Sequence, residues 1–355
     1  MKCRADFALK KLVLFLFFMK KKSLSISDIA RRLNISVTTV SFIINGKAEE
    51  KRISSHLTQQ VLALVQELGY VPNQLAKSLR TGKTNIIALI VEDISNPFFA
   101  NVARLIEEKA NKKRYKIIYC SSENDAVKMS ELIKVFRERQ VDGFIITPTE
   151  GVEGDIRQLL NDNHSLILFD RFFPDLDTNY VIADNEYGAY SGIKHLITRG
   201  YKKIGFVTID STQTQMSDRL AGYTRAIDEY GLKSYVKKVS FFDSPEVIIK
   251  KISAFLMKPV RLDAVFFATN YLGIHGLEAI TNMHLKIPSD IAVVSFDDHD
   301  LFRLFSPSVT VVAQPIEEMS NRVIEILLDQ LESSSPKSKG KKVSLKPKLI
   351  IRKSS

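Results

Sequence analysis

The sequence is poor in cysteine and in long apolar runs. It has 355 residues but only two cysteines, Cys3 and Cys120, which lie far apart. Such spacing gives neither a disulfide framework nor a metal-ligand motif, and it fits a reducing, cytoplasmic setting. No run reaches the roughly 18 to 20 apolar residues that a helix needs to span a bilayer. The sequence therefore argues against a disulfide-stabilised domain and against a membrane protein.

One short apolar run, LVLFLFF, occurs at Leu12–Phe18. It follows basic residues as a signal-peptide core would, but it is short and no small-residue cleavage site follows it. We interpret Met19 as the true start and residues 1–22 as an N-terminal extension. The alternative is a real N-terminal element.

Motifs of catalysis are also missing. Neither GxGxxG nor GxxxxGK[ST] follows the first predicted strand, where a nucleotide-binding enzyme of this architecture needs it. No nucleophile with a base, and no pair of carboxylates in a shared site, is recognisable. The six histidines are scattered, at His56, His164, His195, His275, His284 and His299. We therefore expect no enzyme activity, no cofactor and no metal site.

Charge divides the chain into basic and acidic parts. The formal net charge is +11, with +7 in residues 20–83 and +8 in residues 337–353, where no acid occurs. Residues 84–335 carry about −7. A basic head on a mildly acidic body is typical of a polyanion-binding module joined to a part that need not contact nucleic acid.

The basic head has the pattern of a helix-turn-helix module. Apolar spacing predicts a helix over Ser27–Leu33, a turn at Asn34, which tolerates the left-handed conformation, and a second helix over Val37–Asn45 capped by Ser36. A third helix follows Ser54 or Ser55 and ends at Gly69. The outward face of the second helix carries Thr38, Thr39, Ser41 and Phe42.

Beyond residue 84 the pattern changes to short, β-branched apolar runs separated by helical stretches. The runs are NIIALIVED, KIIYCSS, GFIITP, LILFDR, KIGFVTID, AVFFAT and IAVVSFDD. This alternation predicts parallel sheets covered by helices on both faces. The pattern starts afresh near Lys202, which suggests two similar α/β lobes with a ligand cleft at the carboxyl ends of their strands.

An ordered set of motifs resembles the lactose/galactose repressor family of bacterial transcription regulators, over essentially all of residues 24–352. The motifs are SDIARRLNISVTTVSFIING, LGYVPNQLAKSL, VEDISNPFFANV, FDR, ADNEYGA, DRLAGY, IPSDIAVVSFDD and VAQPIEEM. The resemblance implies an all-α helix-turn-helix head and a two-lobed α/β body similar to periplasmic binding proteins. It also implies a homodimer that reads a palindromic operator in double-stranded DNA.

The resemblance sets the expected domain boundaries. The helix-turn-helix domain spans 23–72, a hinge helix or linker 73–83, and the effector-binding and dimerisation domain 84–355. Within the body we expect lobe 1 at about 84–182 and 311–335. We expect lobe 2 at about 183–310 and 343–355.

In that family the second helix enters the major groove. We assign Thr39 and Ser41 mainly to phosphates and Val37, Thr38 and Phe42 to base edges, with Asn45 also in the DNA-binding set. Phe42 departs from the family pattern, which has Arg there. Arg reads guanine through two hydrogen bonds, whereas Phe contacts only a thymine methyl or shields a step. Alternatively, Phe42 packs against a neighbouring helix and reads no base.

The segment from Asn73 to Leu79 resembles the family's hinge helix, which orders on DNA and inserts a leucine into the minor groove. By position the hinge residues in contact with DNA are Asn73, Ala76 and Leu79. Kinking a base step costs a few kcal/mol, which better contact across the bend offsets. The alternative is an ordinary linker helix.

Eight residues are expected to bind the effector in the cleft. Most follow predicted strands, where carboxylates and guanidinium groups suit the hydroxyls of a polyol and an aromatic ring suits the apolar face of a sugar. They are Phe98, Phe99, Asp170, Arg171, Arg219, Thr269, Asn270 and Asp297. For each, the alternative is a helix cap or a salt bridge between lobes.

Thr269 and Asn270 stand where the family usually has Asn and Asp. The change removes a carboxylate, so a sugar acid becomes a candidate effector beside a neutral sugar.

Together these features predict a sequence-specific repressor of carbohydrate-utilisation genes, controlled allosterically by a sugar or sugar acid. Two alternatives are a periplasmic sugar-binding protein, for which LVLFLFF would be the signal, and a sugar- or nucleotide-processing enzyme. The basic three-helix head argues against the former and the lack of a catalytic constellation against the latter.

Overall fold

The computed structural model describes residues 25–70, 78, 81–257, 260–332 and 340–355. The chain divides into two compact units, Met1–Lys83 and Thr84–Ser355. The first 24 residues, including Met19, lie outside the described residues, as does most of the segment 71–80. In the described part of the chain, no helix is long and apolar enough to cross a membrane.

The first unit contains three short helices around one small core. They are α1 (Ile26–Arg32), α2 (Val37–Ile44) and α3 (Ser55–Glu67). The core consists of Ile29, Ala30, Val40, Ile43 and Val61. The helix-turn-helix architecture predicted from the sequence is therefore present.

The turns of this unit follow from individual residues. Asn34, between α1 and α2, has a φ of +52°, the left-handed conformation that its short polar side chain tolerates. The hydroxyl of Ser36 caps α2 by accepting from the Thr39 N–H at 3.0 Å. Of the two candidate caps for α3, Ser54 is the one observed, because its Oγ accepts from the Leu57 N–H.

The second unit alternates strands and helices almost throughout. In chain order the elements are β1 (Ile86–Val91), α4 (Pro97–Lys112), β2 (Lys116–Ser121), α5 (Ala126–Glu138), β3 (Gly143–Ile146), α6 (Glu153–Asn161), β4 (Ser165–Phe169), β5 (Asn179–Ala183), α7 (Asn185–Thr198), β6 (Ile204–Ile209), α8 (Thr214–Glu229), β7 (Tyr235–Val239), α9 (Pro245–Met257), β8 (Ala264–Phe267), α10 (Asn270–Asn282), β9 (Ala292–Phe296), α11 (Asp300–Leu304), β10 (Thr310–Ala313), α12 (Ile316–Glu332), β11 (Lys342–Leu345) and β12 (Lys348–Ile350).

The strands form two six-stranded sheets, one in each lobe. Their orders are β11-β5-β4-β3-β1-β2 in lobe 1 and β12-β10-β9-β8-β6-β7 in lobe 2. All pairings are parallel except that of β10 with β12. Helices α4 and α12 cover one face of the first sheet and α5 and α6 the other. Helices α9 to α11 and the pair α7 and α8 do the same for the second sheet.

The chain passes between the lobes three times. The positions of these crossings differ from the lobe boundaries that we expected from the sequence. β10 belongs to the sheet of lobe 2, although residues 311–335 were expected in lobe 1, and the chain crosses only after Ala313. β11 belongs to lobe 1, although 343–355 were expected in lobe 2. The run VSLKPKLIIR looks like one strand, but Pro347, which has no N–H to donate, separates β11 from β12.

Gly222 allows α7 and α8 to pack in close contact. A Cβ at this position would lie 2.2 Å from the Glu186 carbonyl oxygen and 2.9 Å from the Tyr190 backbone nitrogen. Both are backbone atoms of α7, so they cannot move aside as a flexible side chain can. The close contact between α7 and α8 therefore requires a residue without a side chain at position 222.

Gly222→Ala is expected to lower the free energy of unfolding by about 3 kcal/mol, because the helices must separate. Chemical denaturation measures the change. Gly154→Ala, in α6, is the control, since its Cβ would meet no atom within 4 Å. It should be neutral or stabilising by up to about 1 kcal/mol. Equal effects of the two substitutions would contradict this packing argument.

Candidate functional site

The outward face of α2 is the first candidate site. Val37 and Thr38 are exposed at the start of the helix, with Val37 42% accessible. Three polar residues of the predicted set are held by local hydrogen bonds. The Thr39 and Ser36 hydroxyls are 2.8 Å apart. Asn45 Nδ2 donates to the Ser41 carbonyl at 2.7 Å and lies 3.4 Å from the Ser41 hydroxyl. These contacts fix the side chains in place while leaving hydroxyl lone pairs and protons for further partners.

Phe42 is half-buried on the same helix. Among residues 25–70 it is not one of the side chains that pack against the core of the unit. Instead, Lys51 Nζ lies 5.5 Å from the centre of its ring, within the range of a cation–π contact. The geometry therefore favours a role for Phe42 on the surface over the alternative of core packing.

The three hinge residues, Asn73, Ala76 and Leu79, lie outside the described residues, so their assignment to DNA stays a prediction.

The second candidate site is a narrow cleft between the two lobes of the body, with a cavity volume of about 40 Å³. It lies at the carboxyl ends of strands from both sheets, as parallel topology favours. The structure brings all eight predicted effector residues to this one cleft: Phe98, Phe99, Asp170, Arg171, Arg219, Thr269, Asn270 and Asp297.

Two aspartates occupy matching places in the two lobes. Asp170 follows β4 and Asp297 follows β9, each with a φ of +66°. Each backbone N–H donates to the neighbouring strand, that of Asp170 to Val181 and that of Asp297 to Val312, at 3.0 and 2.9 Å. The left-handed conformation, which aspartate tolerates, ends the strand at these residues, and both side chains line the cleft.

Arg171 is the centre of a buried ion network in lobe 1. It forms an ion pair with Glu92, and both side chains are less than 10% exposed. Arg171 Nη1 also donates to Asn124 Oδ1 at 2.7 Å, and its Nε is 3.5 Å from Asp170 Oδ2. Asn124 Nδ2 in turn donates to Glu92 at 2.8 Å. A buried guanidinium is thus balanced by carboxylates and an amide, as its desolvation requires.

Arg219 organises the opposite wall in lobe 2. Its Nε donates to Asn185 Oδ1 at 2.8 Å, its Nη1 to the Ala268 carbonyl at 2.6 Å, and Asp297 Oδ2 lies 3.5 Å away. The guanidinium carbon lies 3.7 Å from the centre of the Phe296 ring. Arg219 lies in the second turn of α8, which begins at Thr214.

The remaining predicted residues have packing roles as well. Thr269 caps α10 by accepting from the Leu272 N–H at 3.3 Å. Phe98 and Phe99 belong to the core of lobe 1 and are almost completely buried, so they expose little ring surface to a ligand. Phe241, from lobe 2, is only half-buried in the same cleft.

Hydrogen bonds join the lobes across the cleft. Asn270 Nδ2 donates to Asn96 Oδ1 at 3.0 Å, and Gln213 Nε2 donates to Asn124 Oδ1 at 3.2 Å. Nearer the surface, Glu150 of lobe 1 accepts from the Ser211 hydroxyl at 2.9 Å and from the Thr212 N–H at 2.8 Å. Burial raises the pKa of Glu150, but these hydrogen bonds outweigh it and hold the pKa below its usual value.

Sequence reasoning missed several residues of the cleft. Among them are Glu92, Asn96, Asn124, Gln213, Gln215, Phe241, Tyr271 and Gln314. Glu92 had a usable signal, because it ends the run NIIALIVE just as Asp170 ends LILFD. Asn124 and Gln213 lie in loops without a periodic pattern, so only the tertiary structure reveals them.

Burial also changes the acidity of Asp170. Desolvation raises its pKa from 3.8 to about 6, more than the nearby Arg171 and Arg219 lower it. The folded state thus binds this proton more tightly than the unfolded state. The stabilisation that the folded protein gains by binding this proton is fully present below about pH 4. It is lost as the pH rises through about 6.

Asp170→Asn is expected to unfold less readily than the wild type at pH 7.5, by about 3 kcal/mol, because the amide carries no charge to desolvate. The advantage should shrink to about half by pH 5. Denaturant titrations at several pH values measure it. The exposed Asp175→Asn is the control and should stay within about 0.5 kcal/mol of wild type. A pH-independent difference for Asp170→Asn would contradict the assignment.

Comparison with known proteins gives matches over both units. Residues 25–73 match the model of bacterial regulatory proteins of the lacI family, and residues 193–355 match a periplasmic binding protein-like domain. The ribose operon repressor of Haemophilus influenzae is 29% identical over 333 residues, which cover 93% of this chain and 98% of that protein. The transcriptional repressor PurR of Photobacterium profundum is 30% identical over 335 residues, with the same coverage.

Solved structures agree in fold. The lac repressor dimer bound to operator and the anti-inducer ONPF has a TM-score of 0.82 and 20% identity, covering 94% of this chain and 99% of that one. A ribose operon repressor structure from Burkholderia thailandensis has a TM-score of 0.67 and 25% identity, covering 75% of this chain and 98% of that one. These matches confirm the predicted combination of a helix-turn-helix head with a two-lobed α/β body.

The relatives are named as transcription regulators, which confirms the prediction of a non-enzymatic protein. A 30% identical relative matched over 98% of its length settles the family. The chain belongs to the lacI family of bacterial regulatory proteins.

Proposed function

We propose that the protein is a repressor of carbohydrate-utilisation genes that acts in the cytoplasm. Its affinity for operator DNA depends on a small neutral polyol bound between the lobes. The observation that carries the proposal is the polar lining of the cleft, where two buried guanidinium groups, carboxylates and amides converge on one space. Such a set matches the adjacent hydroxyls of a sugar.

Two amide oxygens of the cleft support a ligand that donates hydrogen bonds. Gln215 Oε1 and Gln314 Oε1 are buried and have no hydrogen-bond partner among the described residues. An unsatisfied buried acceptor costs about 1–3 kcal/mol. Hydroxyl groups of a bound sugar would donate to both oxygens and remove this cost.

Charge favours a neutral effector over a sugar acid. Arg171 and Arg219 face three carboxyl groups in the cleft, those of Glu92, Asp170 and Asp297. Even with Asp170 protonated, the two cations are already balanced. The amide of Asn270, which had suggested an acid, donates to Asn96 and accepts from the Tyr271 N–H. An anionic ligand would add an unbalanced charge to a buried site.

In the proposed complex, α2 lies in the major groove. Val37, Thr38 and Phe42 contact base edges. Thr39, Ser41 and Asn45 contribute contacts to the sugar-phosphate backbone of the DNA. The net charge of +7 in residues 20–83 attracts the phosphates. Asn73, Ala76 and Leu79 complete the proposed DNA-binding set from the hinge.

A two-fold homodimer would read a palindromic operator. Both lobes expose apolar side chains that contact with a second copy of the chain would bury. Tyr119 and Val127 of lobe 1 are 49% and 70% exposed, and Leu301 and Leu304 of lobe 2 are 50% and 76% exposed. The lac repressor structure with which this chain shares its fold is a dimer on operator DNA.

A gel-shift assay with the DNA upstream of the protein's own gene tests DNA binding. Binding should be specific and should weaken about a hundredfold or more between 50 and 200 mM salt, because phosphate contacts release counterions. Addition of neutral pentoses and hexoses should change the affinity for one of them, whereas the corresponding sugar acids should not. Binding that ignores both salt and sugars would overturn the proposal.

Phe42→Arg tests the base contact. Arg donates two hydrogen bonds to guanine, so selection from random DNA should give a half-site with guanine at one position where the wild type prefers thymine. A matched guanine at that position should improve binding by the variant about tenfold or more. Thr58→Arg, which adds the same charge on α3, is the control and should leave the motif unchanged. An identical half-site for wild type and Phe42→Arg would place Phe42 outside the base contacts.

A further inference from the structure

Helix α9 of lobe 2 is apolar on the side that faces solvent as well as on the side that faces the core. Ile248, Ile252 and Leu256 pack into the core of the lobe. On the opposite side of the helix, Val247 and Met257 are 41% and 40% exposed. A helix at a protein surface normally carries polar residues on its outer side. An apolar outer side therefore indicates that another surface covers it.

A shallow groove lies between α9 and β7, the strand at one end of the sheet of lobe 2. Its volume is about 600 Å³. We call it the α9 groove, and its lining consists of Lys237, Val247, Lys250, Lys251, Ala254 and Phe255. All of these except Lys237 belong to α9, and Val247, Lys250 and Ala254 follow one another at successive turns. The groove therefore runs along the outer side of the helix.

The α9 groove is basic, although the body as a whole is acidic. Residues 231–260 contain six lysines and two acids, a net charge of +4, whereas residues 84–335 together carry about −7. Asp243, one of the two acids, pairs with Lys251 at 2.6 Å. Lys237 and Lys250 form no ion pair within the part of the chain that the structure describes. Two cations beside an apolar stripe thus attract an acidic partner.

Phe242 adds an aromatic side chain beside the amino end of α9. It is 75% exposed, although its backbone is held in a turn. Its N–H donates to Ser240 Oγ at 3.2 Å, and the Ser240 N–H donates to Asp243 Oδ2 at 3.0 Å. An exposed ring on a fixed backbone loses little conformational freedom when a partner covers it. The α9 groove together with Phe242 and Met257 is called here the α9 surface.

Charge argues against an occupant from this chain itself. The longer segments outside the described residues are all basic. Residues 1–24 carry a net charge of +6, and residues 71–80 and 333–339 carry +2 each. The lysines of the α9 surface would repel each of these segments. The occupant is therefore an acidic segment of another molecule, and a concave lining suits a protruding helix better than the surface of a bilayer.

We propose that the α9 surface is a docking site for an acidic amphipathic helix of a partner protein. Apolar side chains at successive turns of that helix pack on Val247, Ala254 and Met257. Carboxylates beside them pair with Lys237 and Lys250. α9 has 13 residues, so it offers the partner about 20 Å of helix. No residue of the α9 surface lines the cleft, so docking adds a protein partner to the DNA and the effector of the proposed function.

Fluorescence anisotropy with three labelled peptides and the full-length protein tests this surface. The first peptide has about 18 residues, or five turns, with leucine along one helical face and glutamate on both flanks of that face. The second has lysine in place of each glutamate. The third is a scrambled version of the first, without its helical pattern. The first should bind at least about tenfold more tightly than the other two, and high salt should reduce this gain.

Lys250→Glu and Val247→Asp test the charged and the apolar contacts separately. Both residues are exposed, so the fold should persist, and each change should weaken binding of the acidic peptide about tenfold. Lys348→Glu is the matched control, because it makes the same charge change at an exposed site of β12, the other end of the same sheet. It should stay within about twofold of wild type. Lys237→Glu combined with Lys250→Glu should favour the lysine peptide over the acidic one.

Three results would overturn the inference. One is equal affinity of the wild type for the acidic and the scrambled peptide. Another is binding of phosphatidylglycerol vesicles, in place of the peptide, that Lys250→Glu abolishes, which would assign the surface to a membrane. The third is sedimentation of the wild type as a larger assembly than Lys250→Glu, which would assign the surface to a second copy. Operator binding should be the same for wild type and Lys250→Glu, so a failure of the proposed function would leave this inference standing.

Discussion

The buried ion pair between Arg171 and Glu92 is the interaction on which the cleft depends. A guanidinium shielded from water must be paired, and in this protein its partners come from three separate segments that end or follow strands of lobe 1. Loss of Glu92 would leave an uncompensated charge in the interior. The same requirement holds Asn124 in place, and Asn124 in turn accepts from Gln213 of lobe 2. The group that balances the charge of Arg171 in lobe 1 thus also takes part in the contact between the lobes.

In lobe 2, a second buried guanidinium is balanced by different groups. Arg219 relies on an amide, a backbone carbonyl and an aromatic ring, with Asp297 at a longer distance. Fewer carboxylates surround it, so more of the negative charge of the cleft lies on the side of lobe 1. Below about pH 6, the pKa of Asp170, protonation of this carboxyl reduces that imbalance, because a protonated carboxyl donates a hydrogen bond and carries no charge.

Much of the fold was predictable because periodicity and turn chemistry act locally. Asn34, Ser36 and the strand-ending aspartates carry signals that depend on neighbours in the chain, and the structure places them as expected. The cleft was predictable for the same reason, since parallel strands present their carboxyl ends on one edge.

The errors arise where distant parts of the chain meet. The lobe assignment of β11 depends on which sheet edge is open, and Glu92 and Gln213 acquire their roles from partners about 79 and 89 residues away. A local pattern holds no information on such partners.

The three crossings between lobes lie side by side, since β5 pairs with β11 in one sheet and β10 pairs with β12 in the other. Three adjacent tethers resist twisting and shear, so bending about the line through them is the softest relative motion of the lobes. β6, which leads into Ser211 and Thr212, is three strand spacings from β10, roughly 14 Å from that line. Bending about this line would therefore separate Glu150 of lobe 1 from Ser211 and Thr212 of lobe 2.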